Sequence, residues 1–481
     1  MNKMTQAIEK EENETVTQNG MMIKKSSQDA LVDLFYAIGG LRNDPARAIE
    51  LFQKAFKANK QLSVRIALYA RDVRGGMGER NLFRLMMQWL ASNDHKNAIK
   101  MMHIISEVGR WDDMFAFLYT PVEKEALSYL AKNIENPLCA KWMPREKSTK
   151  KAWALKLRNH MGLSAREYRK LLVGATDVVE QKMSAKQWNN IEFSHVPSLA
   201  SARYQKAFYR NAPANYGEYI NALETGEEGV KINAGAVYPY DVIKSVAMGE
   251  HRVAEQQWKA LPNYIEDDKS FIPLIDVSGS MAQMLGNNPN LCVQDVAMSL
   301  GIYCAQRNRS AFKDKFLTFT NVPNWVDIGG LDLKEAVNKT RRAPWDMNTN
   351  FELAMKLIVD TAVRSNVPKK DMPDYLIVFS DMQFDIAKTH KNKPHGMSRQ
   401  MFEDAGYDMP IMVYWNLSDY GANTPVSFDK DGTMLVSGFS PSIMKSIMAM
   451  DLDNITPYAL MLKAIMIDRY NWKQKNYVNK A

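Results

Sequence analysis

The sequence predicts a multi-domain protein in which an all-α N-terminal half is followed by an α/β domain with a mostly parallel sheet. Two patterns predict this fold class. Residues 28–249 form a series of amphipathic helix patterns joined by short turns, and from Phe271 onward short apolar runs alternate with helix patterns. At 481 residues the chain is long enough for two or three domains. We place a helical domain at residues 28–265 and an α/β domain at residues 268–481.

The N-terminal segment, residues 1–27, is predicted to be a disordered tail. It is polar, and four glutamates lie between Glu9 and Glu14. Such a segment has too little apolar surface to compensate for the entropy of ordering the chain.

Within the helical half, apolar residues recur at helical spacing over residues 46–58, 62–71, 80–90 and 97–108. Consecutive amphipathic helices with short links indicate a bundle or an α-solenoid. The residues show no fixed repeat period, so the pattern leaves the choice between these two open.

In the C-terminal half, buried-type strands are predicted at residues 271–276, 315–320, 325–328, 375–381 and 411–415. Strands that alternate with helices indicate a Rossmann-like sheet with helices on both faces. Pro273 is the local misfit, because proline cannot donate a hydrogen bond to a sheet ladder, and a bulge would accommodate it.

Composition argues for a reducing compartment, and we predict a cytoplasmic protein. The three cysteines, Cys139, Cys292 and Cys304, show no metal-ligand spacing. No stretch has the length and apolar character of a membrane span, and the N-terminus lacks the apolar core of a signal peptide. We therefore expect no membrane partner.

The strongest candidate site follows the first predicted strand of the α/β domain. This strand ends in Asp276, and Ser278 and Ser280 come directly after it. One carboxylate and two hydroxyls then meet at the carboxyl end of a strand, where open α/β sheets bind their ligands. Oxygen ligands suit a hard divalent cation such as Mg²⁺ or Mn²⁺. The alternative is that Asp276 and Ser278 only brace the turn after the strand.

Positive charge is concentrated in one segment of the helical half. Residues 141–170 contain ten basic and two acidic residues, an excess equal to the +8 of the whole chain. Trp142, Trp153 and Tyr168 lie between these charges and could stack on unpaired bases. We therefore predict contacts to nucleic-acid phosphates from Lys141, Arg145, Lys147, Lys150, Lys151, Lys156, Arg158, Arg166, Arg169 and Lys170. The alternative is a solvated helix face whose aromatic rings belong to the core.

A second basic cluster, residues 71–80, joins two helices and contains three glycines. Its glycines allow close approach of a ligand to the backbone, and the following helix offers free N–H groups to an anion. We predict that Arg71, Arg74 and Arg80 contact RNA. The alternative is a tight turn with internal pairing between arginine and aspartate.

The α/β domain resembles von Willebrand factor A domains. The resemblance depends on three segments in this order. They are the Asp-x-Ser-x-Ser motif, the polar loop Asn348-Thr349-Asn350 before a predicted helix, and the Asp at the end of the strand predicted at residues 375–381. In that family these residues surround one Mg²⁺ in a metal-ion-dependent adhesion site, and a partner protein often adds an Asp or Glu. The resemblance implies a site formed by Asp276, Ser278, Ser280, Thr349 and Asp381.

The chain as a whole resembles Ro autoantigen-like proteins, in which a TROVE-like helical module precedes a von Willebrand factor A domain, and in particular an uncharacterised subfamily of intracellular and viral proteins with this architecture. The resemblance covers about residues 30–480 and includes Arg71-Asp72-x-Arg74-Gly75-Gly76-x-Gly78-Glu79-Arg80, Gly109-Arg110-Trp111-Asp112-Asp113 and Trp142-Met143-Pro144-Arg145. It implies a solenoid or ring of HEAT-like repeats that binds small structured RNAs or single-stranded RNA ends.

These observations favour a non-enzymatic RNA-binding protein that recruits a protein partner through a Mg²⁺ site. One alternative is a protein-assembly adaptor whose basic face meets an acidic partner, and another is a viral structural or assembly protein with no RNA role. An enzyme is disfavoured, because the seven histidines are scattered and no hydrolase or metalloprotease motif is present.

Overall fold

The computed structural model describes residues 12–247, 249, 251–266, 268–285, 291–319, 322–342, 350–385, 394–418 and 423–473. Contacts divide the chain into two compact units, each assembled from two segments. The sheet unit comprises Met1–Ile66 and Val237–Ile465, and the helical unit comprises Ala67–Ala236 and Met466–Ala481. The domain boundaries predicted from the sequence at residues 265 and 268 stay a prediction.

The described part of the sheet unit contains one large sheet and one small one. The strands are β1 Glu14–Val16, β2 Met22–Lys24, β3 Phe271–Asp276, β4 Lys315–Phe319, β5 Asn324–Asp327, β6 Tyr375–Ser380, β7 Ile411–Asn416 and β8 Thr433–Ser437. The large sheet has the order β5-β4-β3-β6-β7-β8, with β5 antiparallel to β4 and the other pairs parallel. This is the doubly wound order, in which the direction of winding reverses between β3 and β6. The predicted fold class is confirmed.

The central strands β3 and β6 are buried along their whole length. Since successive side chains of a strand point to opposite faces, both faces of the sheet are covered here. Pro273 pairs in regular register with Ile377 of β6, so the structure shows no bulge at this position. On the other side the pairing of β3 with β4 begins only at Leu274, and the missing N–H of proline therefore falls outside that ladder.

Helices surround this sheet. Those that lie wholly in the sheet unit are α1 Ala30–Ala37, α2 Pro45–Ala58, α13 Pro239–Ala247, α14 His251–Lys259, α15 Val293–Arg307, α16 Leu333–Arg341, α17 Phe351–Arg364, α18 Pro394–Asp404, α19 Met444–Met448 and α20 Pro457–Ile465. Helix α15 crosses β3 so closely that a Cβ on Gly301 would lie 2.1 Å from Cδ1 of Ile275. Beside α1, the Gly39 N–H donates to Oγ of Ser437 at the end of β8, at 3.2 Å.

The N-terminal segment differs from the sequence prediction. Residues 12–27, predicted to belong to a disordered tail, contain the antiparallel pair β1–β2. Met21 and Ile23 are buried, and the Thr17 hydroxyl donates to the carbonyl oxygen of Phe384, 367 residues further along the chain. The composition of the segment gave no sign of this structure, because the residues that it contacts are so distant in sequence. Residues 1–11, the rest of the predicted tail, lie outside the described part of the chain.

All regular secondary-structure elements that the described residues form in the helical unit are helices. Its helices are α4 Arg80–Asn93, α5 His95–Val108, α6 Glu123–Lys132, α7 Pro137–Trp142, α8 Lys151–His160, α9 Ala165–Gly174, α10 Val179–Ser184, α11 Ser198–Asn211 and α12 Pro213–Thr225, while α3 Lys60–Arg71 begins in the sheet unit. Ser164 and Glu167 form a capping box at the start of α9. None of the helices in the described ranges is long and apolar enough to cross a bilayer.

The glycine-rich turn after α3 folds back onto the end of that helix. The N–H of Met77 donates to the Tyr69 carbonyl at 3.1 Å, and the N–H of Glu79 donates to the Ala70 carbonyl at 2.7 Å. Between them, a Cβ on Gly76 would lie 1.8 Å from the Tyr69 carbonyl oxygen. Position 76 therefore has no room for any side chain.

We expect Gly76→Ala to lower the free energy of unfolding by at least about 3 kcal/mol, because backbone would have to move to admit the methyl group. The matched control is Gly174→Ala, at the end of α9, where an added Cβ meets nothing within 4 Å. That change should be neutral or stabilise the protein by up to about 1 kcal/mol. Urea unfolding measures both, and equal midpoints for the two variants would contradict the clash.

Candidate functional site

Two carboxylates meet at the carboxyl ends of the central strands. Asp276 is the last residue of β3, and Asp381 follows directly after the end of β6. These strands are neighbours in the sheet and flank the point where its winding reverses, which is the usual ligand site of an open α/β sheet. Both side chains are buried.

Hydroxyl groups and backbone N–H groups hold these carboxylates. Asp276 Oδ1 accepts from the Ser278 N–H at 3.0 Å, and its Oδ2 accepts from the Ser380 hydroxyl at 2.5 Å. The Ser278 and Ser280 hydroxyl oxygens lie 3.1 Å apart. The structure therefore brings together Asp276, Ser278, Ser280 and Asp381, four of the five predicted metal ligands. Thr349, the fifth, lies outside the described residues.

Without a bound cation, the ionised forms of these two buried carboxyl groups are electrostatically unfavourable. Burial, and then the neighbouring Asp381 charge, raise the pKa of Asp276. Burial also raises the pKa of Asp381, against hydrogen bonds from the Gln383 N–H and the Ser280 hydroxyl. Two carboxylates in one buried place disfavour each other's ionised form, and a cation between them would relieve this cost.

The donor set fits a hard divalent cation. Two carboxylates and two hydroxyls offer oxygen atoms only, which suits Mg²⁺ or Mn²⁺. Among the described residues no group of three or more His, Cys, Asp or Glu side chains has the arrangement of a metal site. A site with only two carboxylates leaves coordination positions for water or for a partner's carboxylate.

Sequence reasoning missed two contributors to this site. Ser380, whose hydroxyl donates to Asp276, stands at the end of β6 next to Asp381, and its position at a strand end was the available signal. The other is the β1–β2 hairpin, which binds the loop after Asp381. The Gln18 N–H donates to Gln383 Oε1 at 2.8 Å, and the Gln383 N–H donates to Asp381 Oδ1 at 3.0 Å.

The raised pKa values predict how the stability of the metal-free protein depends on pH. A carboxyl group with a raised pKa binds its proton more tightly in the folded state than in the unfolded state. Its ionisation therefore lowers the free energy of unfolding as the pH rises from about 4, the ordinary pKa of aspartate, towards neutrality. Thermal unfolding of wild type and Asp276→Asn after metal removal, from pH 4.5 to 7.5, isolates this contribution. The difference should grow with pH, and a constant difference would contradict the assignment.

The basic segment of residues 141–170 is ordered as α7, α8, α9 and their connections. Three of its cations are partly neutralised by internal ion pairs: Lys150 with Asp112 at 3.5 Å, Lys156 with Glu123 at 2.5 Å, and Arg158 with Glu146 at 2.9 Å. Five others are exposed and have no ion pair within the part of the chain that the structure describes. We call these five the basic face: Lys147, Lys151, Arg166, Arg169 and Lys170.

The remaining predicted contacts in this segment are less accessible. Lys141 is half-buried, and Arg145 lies partly buried with its Nη1 atom lacking a hydrogen-bond partner among the described residues. Burial lowers the pKa of Arg145. Both stay predictions as RNA contacts.

The aromatic side chains of the segment belong to its packing. Trp153 stacks on Phe115 with ring centroids 4.9 Å apart, and the Arg110 guanidinium covers Trp142 at 3.7 Å. Tyr168 is buried, and its hydroxyl donates to the Pro144 carbonyl at 3.2 Å. The predicted stacking on bases is therefore wrong for Tyr168, which is buried. Trp153 and Trp142 are half-buried, and besides Phe115 the Lys150 ammonium contacts the Trp153 ring at 4.7 Å.

For residues 71–80 the sequence left two possibilities, RNA contact and internal pairing, and the outcome differs from residue to residue. Arg71 is buried, and its Nε donates to Asp113 Oδ2 at 2.7 Å, so an RNA contact by this side chain is corrected to internal pairing. Asp72 is buried too, and it binds Arg469 and the Tyr470 hydroxyl near the end of the described chain. Arg74 and Arg80 are exposed and stay predictions. Partial desolvation, followed by the charges of Arg110 and Arg71, lowers the pKa of Arg80.

A cleft of about 750 Å³ lies between α5 and α6 in the helical unit. Lysines from three segments line it, and we call it the lysine cleft, after Lys100, Lys124, Lys132 and Lys473. Glu125 is the acidic residue of its lining. Sequence reasoning missed this cluster, because its lysines are scattered along the chain from position 100 to position 473 and no single segment is strongly basic.

Comparison with known proteins gives relatives without an assigned activity. Residues 270–465 match DUF7788, and residues 17–170 and 129–270 match DUF2828, each described as a domain of unknown function. The uncharacterized protein L728 of Acanthamoeba polyphaga mimivirus is 27% identical over an alignment of 515 positions, which covers 94% of this chain and 87% of that protein. The crystal structure of the Deinococcus radiodurans RO (RSR) protein aligns with a TM-score of 0.49 and 13% identity, covering 92% of this chain and 100% of that one.

Proposed function

Since the chain belongs to the DUF2828 family, which has no assigned activity, we propose from its own residues that it is a non-enzymatic RNA-binding protein with a cation-dependent docking site. The basic face carries this proposal. Its five exposed cations lie between positions 147 and 170 of the helical unit, free of internal ion pairs among the described residues. Phosphate contacts supply most of the sequence-independent affinity of nucleic-acid binding, and they need accessible cations of this kind.

The geometry of the cations favours a backbone contact over a base contact. Arg166, Arg169 and Lys170 project from α9 within two turns, and Lys147 and Lys151 flank the start of α8. Of the aromatic rings beside them, Tyr168 is buried and Trp153 stacks on Phe115, so these rings already make internal contacts. We therefore expect affinity for RNA with little dependence on base sequence.

The second part of the proposal concerns the sheet unit. Asp276, Ser278, Ser280 and Asp381 would hold Mg²⁺ or Mn²⁺, with Thr349 as the implied fifth ligand. The bound cation supplies a positive charge to which a carboxylate of a protein partner can bind. The protein's contribution is to keep two carboxylates fixed and dry through Ser380, the Ser278 N–H and the loop bound by the hairpin.

One observation favours a second candidate, a protein-assembly adaptor. The aromatic rings of the segment make internal contacts, so charge is the main feature of the basic face, and an acidic protein surface complements positive charge as RNA does. The two candidates differ in the treatment that releases the partner. An RNA ligand is displaced by other RNAs. An acidic protein partner remains bound when ribonuclease is added.

The test is the affinity of the full chain for a hairpin RNA with a single-stranded tail, measured from 50 to 300 mM salt, with and without EDTA. RNA binding through about five phosphates predicts a log–log slope of roughly −3.5 to −4.5 and no effect of EDTA. A shallow slope would refute the RNA part. The same RNA, incubated with Mg²⁺ and analysed for cleavage, tests the absence of nuclease activity.

A further inference from the structure

The lysine cleft in the helical unit is separate from the basic face, since none of the five basic-face residues lines it. It is a concavity of about 750 Å³, large enough for one nucleotide or a ligand of similar size. Four lysines and Glu125 give its lining a net charge of +3. Lys100, Lys124 and Lys132 are exposed and form no ion pair within the described residues. Charge of one sign in a concave site attracts an anion more strongly than the same charges on a convex surface.

The uncharged residues that line the cleft define its ligand more closely than the charge does. Tyr129 lines it and is held by Trp111, whose ring stacks on the tyrosine at 5.9 Å and an interplanar angle of 24°. A ring held by a stacked neighbour is a rigid flat surface, on which a base can stack. Asn133 and Ser128 add an amide and a hydroxyl to the lining, groups that can bind the edge of a base or a ribose.

Two further lining residues bear on the ligand. Trp472 lines the cleft, and its buried indole N–H has no hydrogen-bond partner among the described residues. An unpaired buried donor is costly, and a ligand acceptor would relieve that cost. The hydroxyl of Ser128, another lining residue, lies 3.1 Å from Nε2 of His160, the last residue of α8. The cleft therefore adjoins the helix that carries part of the basic face.

We propose that the lysine cleft binds a nucleoside monophosphate group, with the phosphate among Lys100, Lys124 and Lys132 and the base against Tyr129. The group has two sources, a free nucleotide or the terminal nucleotide of an RNA strand. The second source extends the proposed RNA-binding function and depends on it, whereas the first does not.

The experiment compares ligands first, so that no substitution is needed. Affinities of the full chain are measured for adenosine 5′-monophosphate, adenosine, ribose 5-phosphate and inorganic phosphate. The cleft predicts that the monophosphate binds at least about tenfold more tightly than adenosine, because of the lysines, and more tightly than ribose 5-phosphate, because of the tyrosine. Equal affinity for the monophosphate and adenosine would overturn the proposal.

Variants then locate the site. The triple change Lys100→Gln, Lys124→Gln and Lys132→Gln should weaken monophosphate binding at least about tenfold. A matched triple change, Lys186→Gln, Lys231→Gln and Lys334→Gln, removes the same charge at exposed positions outside the cleft and should leave the affinity unchanged. All six positions are exposed, so unfolding is not expected, and thermal melting verifies this. Equal weakening by both triples would overturn the placement.

Short RNAs distinguish the two sources. A ten-nucleotide single strand with a terminal phosphate should compete with the free monophosphate, and should do so better than the same strand with hydroxyl ends, if terminal nucleotides enter the cleft. No competition would leave the free nucleotide as the ligand. Salt-dependent binding of the hairpin RNA without monophosphate binding refutes the cleft alone. Monophosphate binding without hairpin RNA binding refutes the RNA-binding function and leaves the cleft as a free-nucleotide site.

Discussion

Replacing Asp276 with Asn should stabilise the metal-free protein and abolish the stabilisation that Mg²⁺ gives to the wild type. The first effect follows from the pKa of Asp276, which burial and the adjacent Asp381 raise, so that ionisation at neutral pH opposes folding. Removing that charge should raise the free energy of unfolding by about 2 kcal/mol at pH 7.5. The asparagine keeps the shape of the side chain and can still accept the hydrogen bond from the Ser278 N–H.

The second effect follows from the loss of a ligand. Mg²⁺ at 100 times its dissociation constant stabilises a folded protein by about 2.7 kcal/mol, provided that the unfolded chain does not bind it. The Asp276→Asn variant should gain almost none of this. If Asp276 is a metal ligand, the substitution raises stability without the cation and lowers it, relative to the wild type, when Mg²⁺ is present. If Asp276 only braces the turn, the substitution lowers stability in both conditions.

Thermal melting with EDTA and with Mg²⁺ measures both effects. Ser278→Ala removes one hydroxyl ligand without changing the charge, and it should reduce the Mg²⁺ effect while leaving the metal-free protein near the wild type. Asp429→Asn, at an exposed position of the sheet unit, is the matched control for the loss of a carboxylate. RNA affinity should be the same in all three variants. A Mg²⁺ shift of wild-type size in Asp276→Asn would refute the metal site.

Changing the basic face to glutamine should nearly remove the salt dependence of RNA binding. Each lost phosphate contact reduces the log–log slope by about 1, so replacing Lys147, Lys151, Arg166, Arg169 and Lys170 should leave a slope close to zero. The five side chains are exposed and without ion pairs among the described residues. Their replacement should therefore change the melting temperature little.

Two comparison proteins make this result specific. In the first, five exposed lysines elsewhere become glutamine: Lys57, Lys186, Lys231, Lys334 and Lys370. It has the same loss of net charge, and its slope should remain steep. In the second, Lys156→Gln breaks the 2.5 Å ion pair with Glu123 and should have a smaller effect on RNA binding than the basic face has. Equal losses in the basic-face and the five-lysine proteins would mean that net charge alone, without a defined face, attracts RNA.

The sequence predicted those features whose signals are local. The apolar runs at residues 271–276 and 375–380 became β3 and β6, and the Asp-x-Ser-x-Ser motif placed Asp276 and Ser278 at a strand end. Both strands are buried on both faces and read as continuous apolar segments, which is the clearest strand signal. The Ser164 capping box was equally local and formed as its spacing indicates.

Features that depend on distant partners were missed or misjudged. Arg71 looks like an exposed cation in a glycine-rich turn, but Asp113, 42 residues away, draws it into the core. The tail before residue 27 looks disordered until its partner loop near Phe384 is known. The lysine cleft has no sequence signal at all, because packing of α5, α6 and the C-terminal segment creates it.

The interleaved composition of the two units has a consequence for how the chain matures during translation. Helix α1, six of whose eight residues are buried, lies beside β8, and the contact from Gly39 to Ser437 spans 398 residues. At about 5 to 20 residues per second, α1 waits roughly 20 to 80 s for this partner strand to be synthesised. Neither unit can be complete before Ile465 has left the ribosome, since the sheet unit ends there and the helical unit resumes at Met466. The nascent chain therefore exposes a strongly apolar helix for most of its synthesis, and its maturation should depend on chaperones that bind such segments.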